Sequence, residues 1–132
     1  ESPAKLVGVI FTHVGEGTAA PYECRNSDHW IFNGTGLKNG DKFGEKSLHE
    51  RVPGGASGHE TDKRTPNTGE GFISLAMGCN PGEDSGAEMV YKDFPGKGGQ
   101  VFSTGSITYI SCLLVDESIS RITKNVLNKF LQ

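Results

Sequence analysis

Three side chains that could move protons follow a glycine-rich stretch in the middle of this 132-residue chain. Residues 54–58 read Gly-Gly-Ala-Ser-Gly, and His59, Glu60 and Asp62 come directly afterwards. Glycine lets the backbone turn sharply and approach other groups closely. An imidazole with two carboxylates can orient a water, hydrogen-bond a metal ligand or act as a general base. The alternative is a polar turn in which Asp62 caps nearby amides. A phosphate loop is excluded because no Lys-Ser/Thr pair follows the last glycine.

Two other groups of reactive side chains are less suggestive. The first combines possible metal ligands over residues 22–29, but its spacing matches no standard zinc pattern. In that region Trp30 and Phe32 are typical of aromatic anchors that hold a loop against a neighbouring surface. The second group is Ser103–Ser106, which lacks the Gly-x-Ser-x-Gly pattern of a nucleophile elbow. Hydroxyls on a strand usually satisfy backbone groups, so we predict no nucleophilic serine there.

The three cysteines indicate a reducing cellular compartment and do not indicate a catalytic role. Cys24, Cys79 and Cys112 are odd in number and widely spaced, which provides neither a disulfide framework nor a Cys-x-x-Cys metal site. They are typical of small buried residues in a reducing compartment, so we expect a cytoplasmic protein.

The composition excludes several partners. With 13 basic and 16 acidic residues the formal charge is −3, and no basic stripe favours nucleic acid or an acidic membrane surface. No apolar run approaches the roughly 20 residues of a membrane-spanning helix. Only 34% of the residues are hydrophobic, which indicates that the chain buries part of its apolar surface against other protein.

The first half of the chain, residues 1–64, is predicted to be a glycine-rich irregular segment with one early strand at Leu6–Thr12. From His13 to Arg64 the sequence shows no helical period. A stretch of that length without regular elements is uncommon inside a self-contained domain. It therefore favours either short irregular strands or an excursion over another protein surface.

The second half, residues 65–132, is regular and is predicted to be an α/β closing unit. Its predicted elements are a strand at Gly71–Met77, a hairpin with arms Glu88–Phe94 and Gln100–Ser106 around a turn at 95–99, and an apolar stretch at Ile107–Leu114.

A terminal helix is predicted over Ser118–Leu131, where the apolar positions 119, 122, 126, 127, 130 and 131 share one helical face. Asp116 or Ser118 is expected to cap its first-turn amides. A strand, a hairpin and an amphipathic helix that covers one sheet face are typical of a layered α/β domain. We interpret the chain as a single domain that belongs to a larger one.

Four segments in this order resemble the C-terminal end of the N,N-dimethylformamidase large-subunit family. The resemblance is good over residues 50–132 and loose over residues 1–50. The segments are residues 54–62 (GGASGHETD), 88–91 (EMVY), 98–108 (GGQVFSTGSIT) and 120–127 (SRITKNVL).

The resemblance implies a glutamine-amidotransferase-like layered sheet within an amidohydrolase that uses one iron ion. In that family the iron is held by two tyrosines and a glutamate, which we expect upstream of this segment, so no cofactor is expected in this chain alone. The family's acidic residue after the Gly-Gly-Ala-x-Gly turn lies near the active site and falls on Glu60. His59 departs from the apolar residue usual before that glutamate.

The leading hypothesis is therefore that the chain is the C-terminal part of a formamidase-like hydrolase, which cleaves a C–N bond with metal-activated water. The catalytic candidates are Glu60, His59 and Asp62, and the substrate is a small amide. The expected partner is the remainder of the large subunit or another chain of an oligomer, and the isolated chain is expected to be inactive. The alternative is a non-catalytic binding or assembly domain on the same fold.

Overall fold

Nine short strands, two α-helices and two 3-10 helices make up the computed structural model, which describes residues 1–132. The strands are, in chain order, Ile10–Thr12 (β1), Ala19–Ala20 (β2), Tyr22–Cys24 (β3), Lys42–Phe43 (β4), Ser57–Gly58 (β5), Thr61–Lys63 (β6), Ile73–Gly78 (β7), Glu88–Asp93 (β8) and Gln100–Ser103 (β9). The helices are Ala4–Val7 (α1), Trp30–Phe32 (3-10), Thr108–Cys112 (3-10) and Glu117–Phe130 (α2).

Five antiparallel strands form the main sheet in the order β4-β3-β7-β8-β9. The strand predicted at Gly71–Met77 is found as β7, displaced toward its C-terminal end. Its pairing with β8 shifts register between Ser74 and Ala76, which is the local irregularity that a bulge introduces.

The predicted hairpin is confirmed as β8 and β9, but its second arm is shorter than predicted. The arm ends at Ser103 because Gly105 turns the backbone with a φ of 68°. A Cβ at Gly105 would lie 2.8 Å from the carbonyl oxygen of Asp62 and 2.9 Å from that of Glu88, so only glycine fits without displacing a neighbour. Ser106 then forms an isolated antiparallel bridge with Thr61.

The strand predicted over Leu6–Thr12 is wrong in its first half. Residues 4–7 form the short helix α1, which ends at Gly8 in the left-handed conformation with its N–H donating to the Ala4 carbonyl. A glycine at this position is a usual helix end. Only Ile10–Thr12 is extended, and it pairs antiparallel with β6.

The segment from His13 to Arg64 contains short irregular strands, one of the two alternatives that the sequence left open. It supplies β2 to β6. Strands β3 and β4 belong to the main sheet, whereas β2 pairs with β5 and β6 pairs with β1 in two separate two-stranded sheets. Two or three residues per strand are too few to show an alternating pattern in the sequence.

The predicted terminal helix is confirmed as α2, and Asp116 is its cap, since its carboxylate accepts the N–H of Ile119 at 3.1 Å. Ile119, Ile122 and Val126 are buried in the main core, together with residues from the sheet and from both 3-10 helices. The end of the apolar stripe is not buried, since Leu127 and Leu131 are 56% and 85% exposed.

The architecture is therefore a mixed α/β fold with several antiparallel sheets and a C-terminal helix. Neither α-helix combines the length and apolar character that crossing a membrane requires.

Candidate functional site

The glycine-rich stretch before the candidate residues packs backbone against backbone. Gly54 and Gly55 have φ values of 137° and 149°. A Cβ on either residue would collide with the main chain of Ala19 or Ala20, so the glycines permit the close approach of this loop to β2. The sequence predicted this use of glycine.

His59 adopts a φ of 63°, an uncommon conformation for a residue with a side chain. Its N–H donates to the Thr18 carbonyl at 2.8 Å. Its exposed imidazole lies beside that of His49, with 5.6 Å between the ring centroids. The ring therefore does not line the cavity that the two following acidic residues share.

Glu60 and Asp62 line one cavity of about 330 Å³ between α1, β6 and the segment after β9. The cavity contains no basic side chain, and hydroxyls and apolar groups complete its wall. Its lining residues are Val7, Val9, Glu60, Asp62, Ser103, Thr104, Gly105, Ser106 and Ile107. The structure thus brings together two of the three predicted catalytic residues and separates the third.

Asp62 is anchored by a backbone hydrogen bond, whereas one of its carboxylate oxygens has no partner. Its N–H donates to the Gly105 carbonyl at 2.8 Å. One carboxylate oxygen, Oδ1, is inaccessible to solvent and has no hydrogen-bond partner. Burial raises the pKa of Asp62 above its ordinary value, and the neighbouring charge of Glu60 raises this pKa further. Such a carboxyl can hold a proton closer to neutral pH than an exposed one does.

The hydroxyls around the cavity are committed to the backbone, as the sequence predicted. Ser106 Oγ accepts the N–H of Gly58 at 2.8 Å and donates to the Ala56 carbonyl at 2.7 Å. Ser103 Oγ donates to the Val7 carbonyl at 2.5 Å. These hydroxyls connect the glycine-rich loop and α1 to the segment after β9.

Tyr22 lies beneath the cavity and was considered in the sequence only as a possible metal ligand. It is fully buried, and its hydroxyl donates to the Thr104 carbonyl at 2.5 Å. Burial raises the pKa of Tyr22 well above its usual value, and Tyr109 raises this pKa further. The phenol is therefore neutral and serves as a hydrogen-bond donor to the cavity wall. The inward alternation of Tyr22 and Cys24 on β3 was the available signal.

A second polar network missed in the sequence supports the loop from below. Ser57 Oγ donates to Asn80 Oδ1 at 2.7 Å and accepts the Ala87 N–H at 2.9 Å. The Asn80 amide in turn donates to Thr18 Oγ1 at 2.9 Å. The four groups belong to positions 18, 57, 80 and 87, which are not neighbours in the sequence, so no local sequence pattern predicts the network.

The possible ligands in residues 22–29 are used for structure. Glu23 pairs with Arg25 at 2.9 Å, and His29 Nδ1 accepts the N–H of Ile31. Trp30 packs edge-on against Tyr91 with 5.3 Å between the ring centroids, which is the anchoring role predicted for it.

The cavity donors fit only part of a metal site. The carboxylates of Glu60 and Asp62 are hard oxygen ligands of the kind that iron accepts, and Asp62 Oδ1 is unpartnered. However, residues 1–132 contain no group of three or more His, Cys, Asp or Glu side chains close enough to hold a metal ion. These side chains do not make a complete site on their own.

Comparison with known proteins supports the resemblance seen in the sequence and extends it. No curated protein matches the chain. The family described as "N,N-dimethylformamidase beta subunit-like, C-terminal" matches residues 1–123. The match includes the first 50 residues, where the motifs showed only a loose resemblance. Because it covers nearly the whole chain, the protein belongs to the N,N-dimethylformamidase beta subunit-like C-terminal family.

Proposed function

We propose that this chain is the C-terminal part of a formamidase-like amidohydrolase that cleaves the C–N bond of a small amide. The observation that carries the proposal is the shared cavity of Glu60 and Asp62, in a chain that belongs to this family. The glutamine-amidotransferase-like character of the layered sheet is part of the same proposal. This part rests on the resemblance alone. The strand pairings in this chain are all antiparallel and do not themselves identify that fold.

Amide hydrolysis needs one group that removes a proton from water and one that protonates the leaving nitrogen. Glu60 lies at the exposed side of the cavity, where its carboxylate can accept the proton of the attacking water. Asp62, with its raised pKa, is suited to hold a proton and deliver it to the leaving amine. His59 would act at the rim, because its ring lies outside the cavity lining.

The complete enzyme is proposed to contain iron whose ligands lie mostly outside this chain. When bound, the ion would supply Lewis acidity toward water or the amide carbonyl. Glu60 and Asp62 would handle the protons of the same reaction.

The cavity is proposed to be completed by another part of the enzyme or another chain of an oligomer. Apolar side chains at its edge remain accessible, with Val7 38% and Ile107 45% exposed. Phe11, which pairs with Asp62 in β1–β6, is also 38% exposed. A protein surface that covers them would exclude water from the carboxylates. The word "subunit" in the family description is consistent with such association.

Replacing Glu60 in the intact enzyme tests the proposal. We expect Glu60→Gln to lower kcat for a small formamide by about 10²-fold or more, since the base is lost, with little change in thermal unfolding. The matched control is Glu83→Gln, an exposed glutamate in the turn before β8, which should retain full activity. Wild-type kcat in Glu60→Gln would remove Glu60 from the reaction.

The same exposed apolar side chains also favour a second function, a non-catalytic assembly domain. The iron content of the intact protein separates the two functions. Stoichiometric iron with amide hydrolysis supports the hydrolase, whereas a stable multi-chain assembly with neither supports the assembly domain.

A further inference from the structure

Two Asn-Gly pairs, Asn33-Gly34 and Asn39-Gly40, lie close together in the sequence but differ in their surroundings. In any Asn-Gly pair, the backbone nitrogen of glycine can attack the preceding side-chain amide, because glycine has no Cβ to obstruct the approach. Whether it does so in a folded protein depends on how firmly that peptide is held. The two pairs therefore provide an internal comparison.

The reacting groups of the Asn33-Gly34 pair, the Asn33 side-chain amide and the Gly34 nitrogen, make no hydrogen bonds. Both residues are exposed, and the Gly34 N–H donates to no group in the chain. The single hydrogen bond to this peptide comes from Asn125 Nδ2, which donates to the Asn33 carbonyl at 2.8 Å. Attack requires this peptide to rotate from the Asn33 ψ of 129°. The Asn125 bond and the surrounding turn, in which the Thr35 N–H donates to the Phe32 carbonyl at 3.1 Å, oppose the rotation. The Asn39-Gly40 pair lies in a similar turn, closed by the Asp41 N–H and the Lys38 carbonyl at 3.0 Å, so the pairs differ in how their reacting groups are held.

A cation lies beside Gly34, the residue whose nitrogen would attack. A Cβ built on Gly34 would lie 3.2 Å from the guanidinium carbon of Arg121, so this side chain rests against Gly34. A guanidinium against this glycine can stabilise the negative charge that develops during attack.

The Asn39-Gly40 pair is held at both of its reacting groups. The Gly40 N–H donates to the Cys24 carbonyl at 2.8 Å. The side-chain oxygen of Asn39 accepts the N–H of Ser27, also at 2.8 Å. Both bonds must break before the nitrogen can reach the side-chain carbon.

We propose that Asn33 is a site of spontaneous deamidation in the folded protein and that Asn39 is protected. The Gly34 nitrogen forms a bond to Asn33 Cγ, the Cγ–Nδ2 bond breaks, and ammonia leaves with the proton from the Gly34 amide. Water then opens the resulting succinimide at either carbonyl, which leaves aspartate or isoaspartate at position 33. No oxidation or reduction takes place.

Deamidation at Asn33 changes how α2 is attached to the fold. Asn125 on α2 donates both to the Ile31 carbonyl at 3.0 Å and to the Asn33 carbonyl at 2.8 Å. The succinimide and isoaspartate forms reorient the second carbonyl. The aspartate and isoaspartate forms carry a carboxylate at position 33, next to the glycine against which Arg121 rests. The modification thus adds a negative charge near Arg121 and, in the isoaspartate form, disturbs one of the two Asn125 hydrogen bonds at the same edge of the helix.

Peptide mapping by mass spectrometry during incubation in mildly alkaline buffer tests the proposal, with fragmentation that distinguishes isoaspartate from aspartate. In the native protein Asn33 should convert several-fold faster than Asn39. In denaturant the two rates should become similar, because the local dipeptide is the same. Equal native rates, or faster conversion at Asn39, would overturn the proposal.

Two variants test the individual contacts. Asn125→Ala removes the side-chain bond to the Asn33 carbonyl and should accelerate conversion at Asn33 without changing Asn39. Arg121→Gln removes the neighbouring cation and should slow conversion at Asn33. An unchanged Asn33 rate in both variants would overturn the structural explanation.

Discussion

The hydroxyl of Ser106 accepts the N–H of Gly58 at 2.8 Å and thereby connects the loop that carries Glu60 to the segment after β9. The same hydroxyl donates to the Ala56 carbonyl. The two partners are nearly fifty positions away in the chain, so one side chain fixes the distance between two walls of the cavity.

Ser106→Ala should therefore destabilise the protein. It leaves the buried Gly58 N–H and Ala56 carbonyl without a partner, which costs about 1–3 kcal/mol in the free energy of unfolding. Urea denaturation measures the change. Ser120→Ala, on the exposed side of α2, is the matched control and should stay within about 0.5 kcal/mol of wild type. Equal stabilities would show that the Ser106 hydroxyl bonds contribute nothing.

Asp62 should make stability depend on pH in a defined direction. Because burial raises the pKa of Asp62 in the folded state, folding binds its proton more tightly. The favourable contribution is present below the unfolded-state pKa and is lost as pH rises through the folded-state pKa. Asp62→Asn should thus gain stability relative to wild type as the pH rises from acidic to neutral. A stability difference that is independent of pH would contradict this pKa shift.

His29 should make the protein less stable as the pH falls, opposite to the effect of Asp62. Burial lowers the pKa of His29, and its unprotonated Nδ1 accepts the Ile31 N–H at 3.3 Å. The contribution to stability is complete above the ordinary histidine value of about 6.5 and is lost as the pH falls through the lower folded-state pKa. His29→Gln should flatten the profile of unfolding free energy between about pH 7 and pH 5. An NMR titration of His29 at or above the ordinary value would refute the prediction.

The two ends of the apolar stripe on α2 should respond differently to truncation. Ile122 is fully buried, so Ile122→Ala should cost about 2–5 kcal/mol of unfolding free energy. Leu127 is 56% exposed, and Leu127→Ala should cost well under half of that. Fluorescence of Trp30, the single tryptophan, reports the transition. A larger loss at Leu127 would indicate that this position is covered in the protein in solution.

The elements that were correctly predicted are those whose causes are local. The α2 pattern and its Asp116 cap lie within one stretch of sequence, and the arms of the β8–β9 hairpin flank their own turn. The helix α1 was missed because Gly8, rather than an apolar pattern, determines where it ends.

The cavity could be anticipated only in part. The sequence singled out Glu60 and Asp62 as candidates, and the structure places both at one cavity, while their catalytic role is a proposal. Their surroundings could not be predicted, since Val7 and Ser103 reach the cavity through pairings over large sequence separations. Likewise, the left-handed φ of His59, and with it the departure of the imidazole from the cavity, depends on the β2–β5 contact and not on neighbouring residues.

The two small sheets pair both ends of the segment at 57–63 with the beginning of the chain, through β1–β6 and β2–β5. The N-terminal 20 residues therefore support the acidic loop structurally, although they contain none of its candidate catalytic residues. A peptide tag, a fused domain or a protease that disturbs these residues would therefore shift the positions of Glu60 and Asp62, although these carboxylates lie about 40 positions later in the sequence. Preparations that differ only at that end should accordingly be compared before any loss of turnover is attributed to a point substitution.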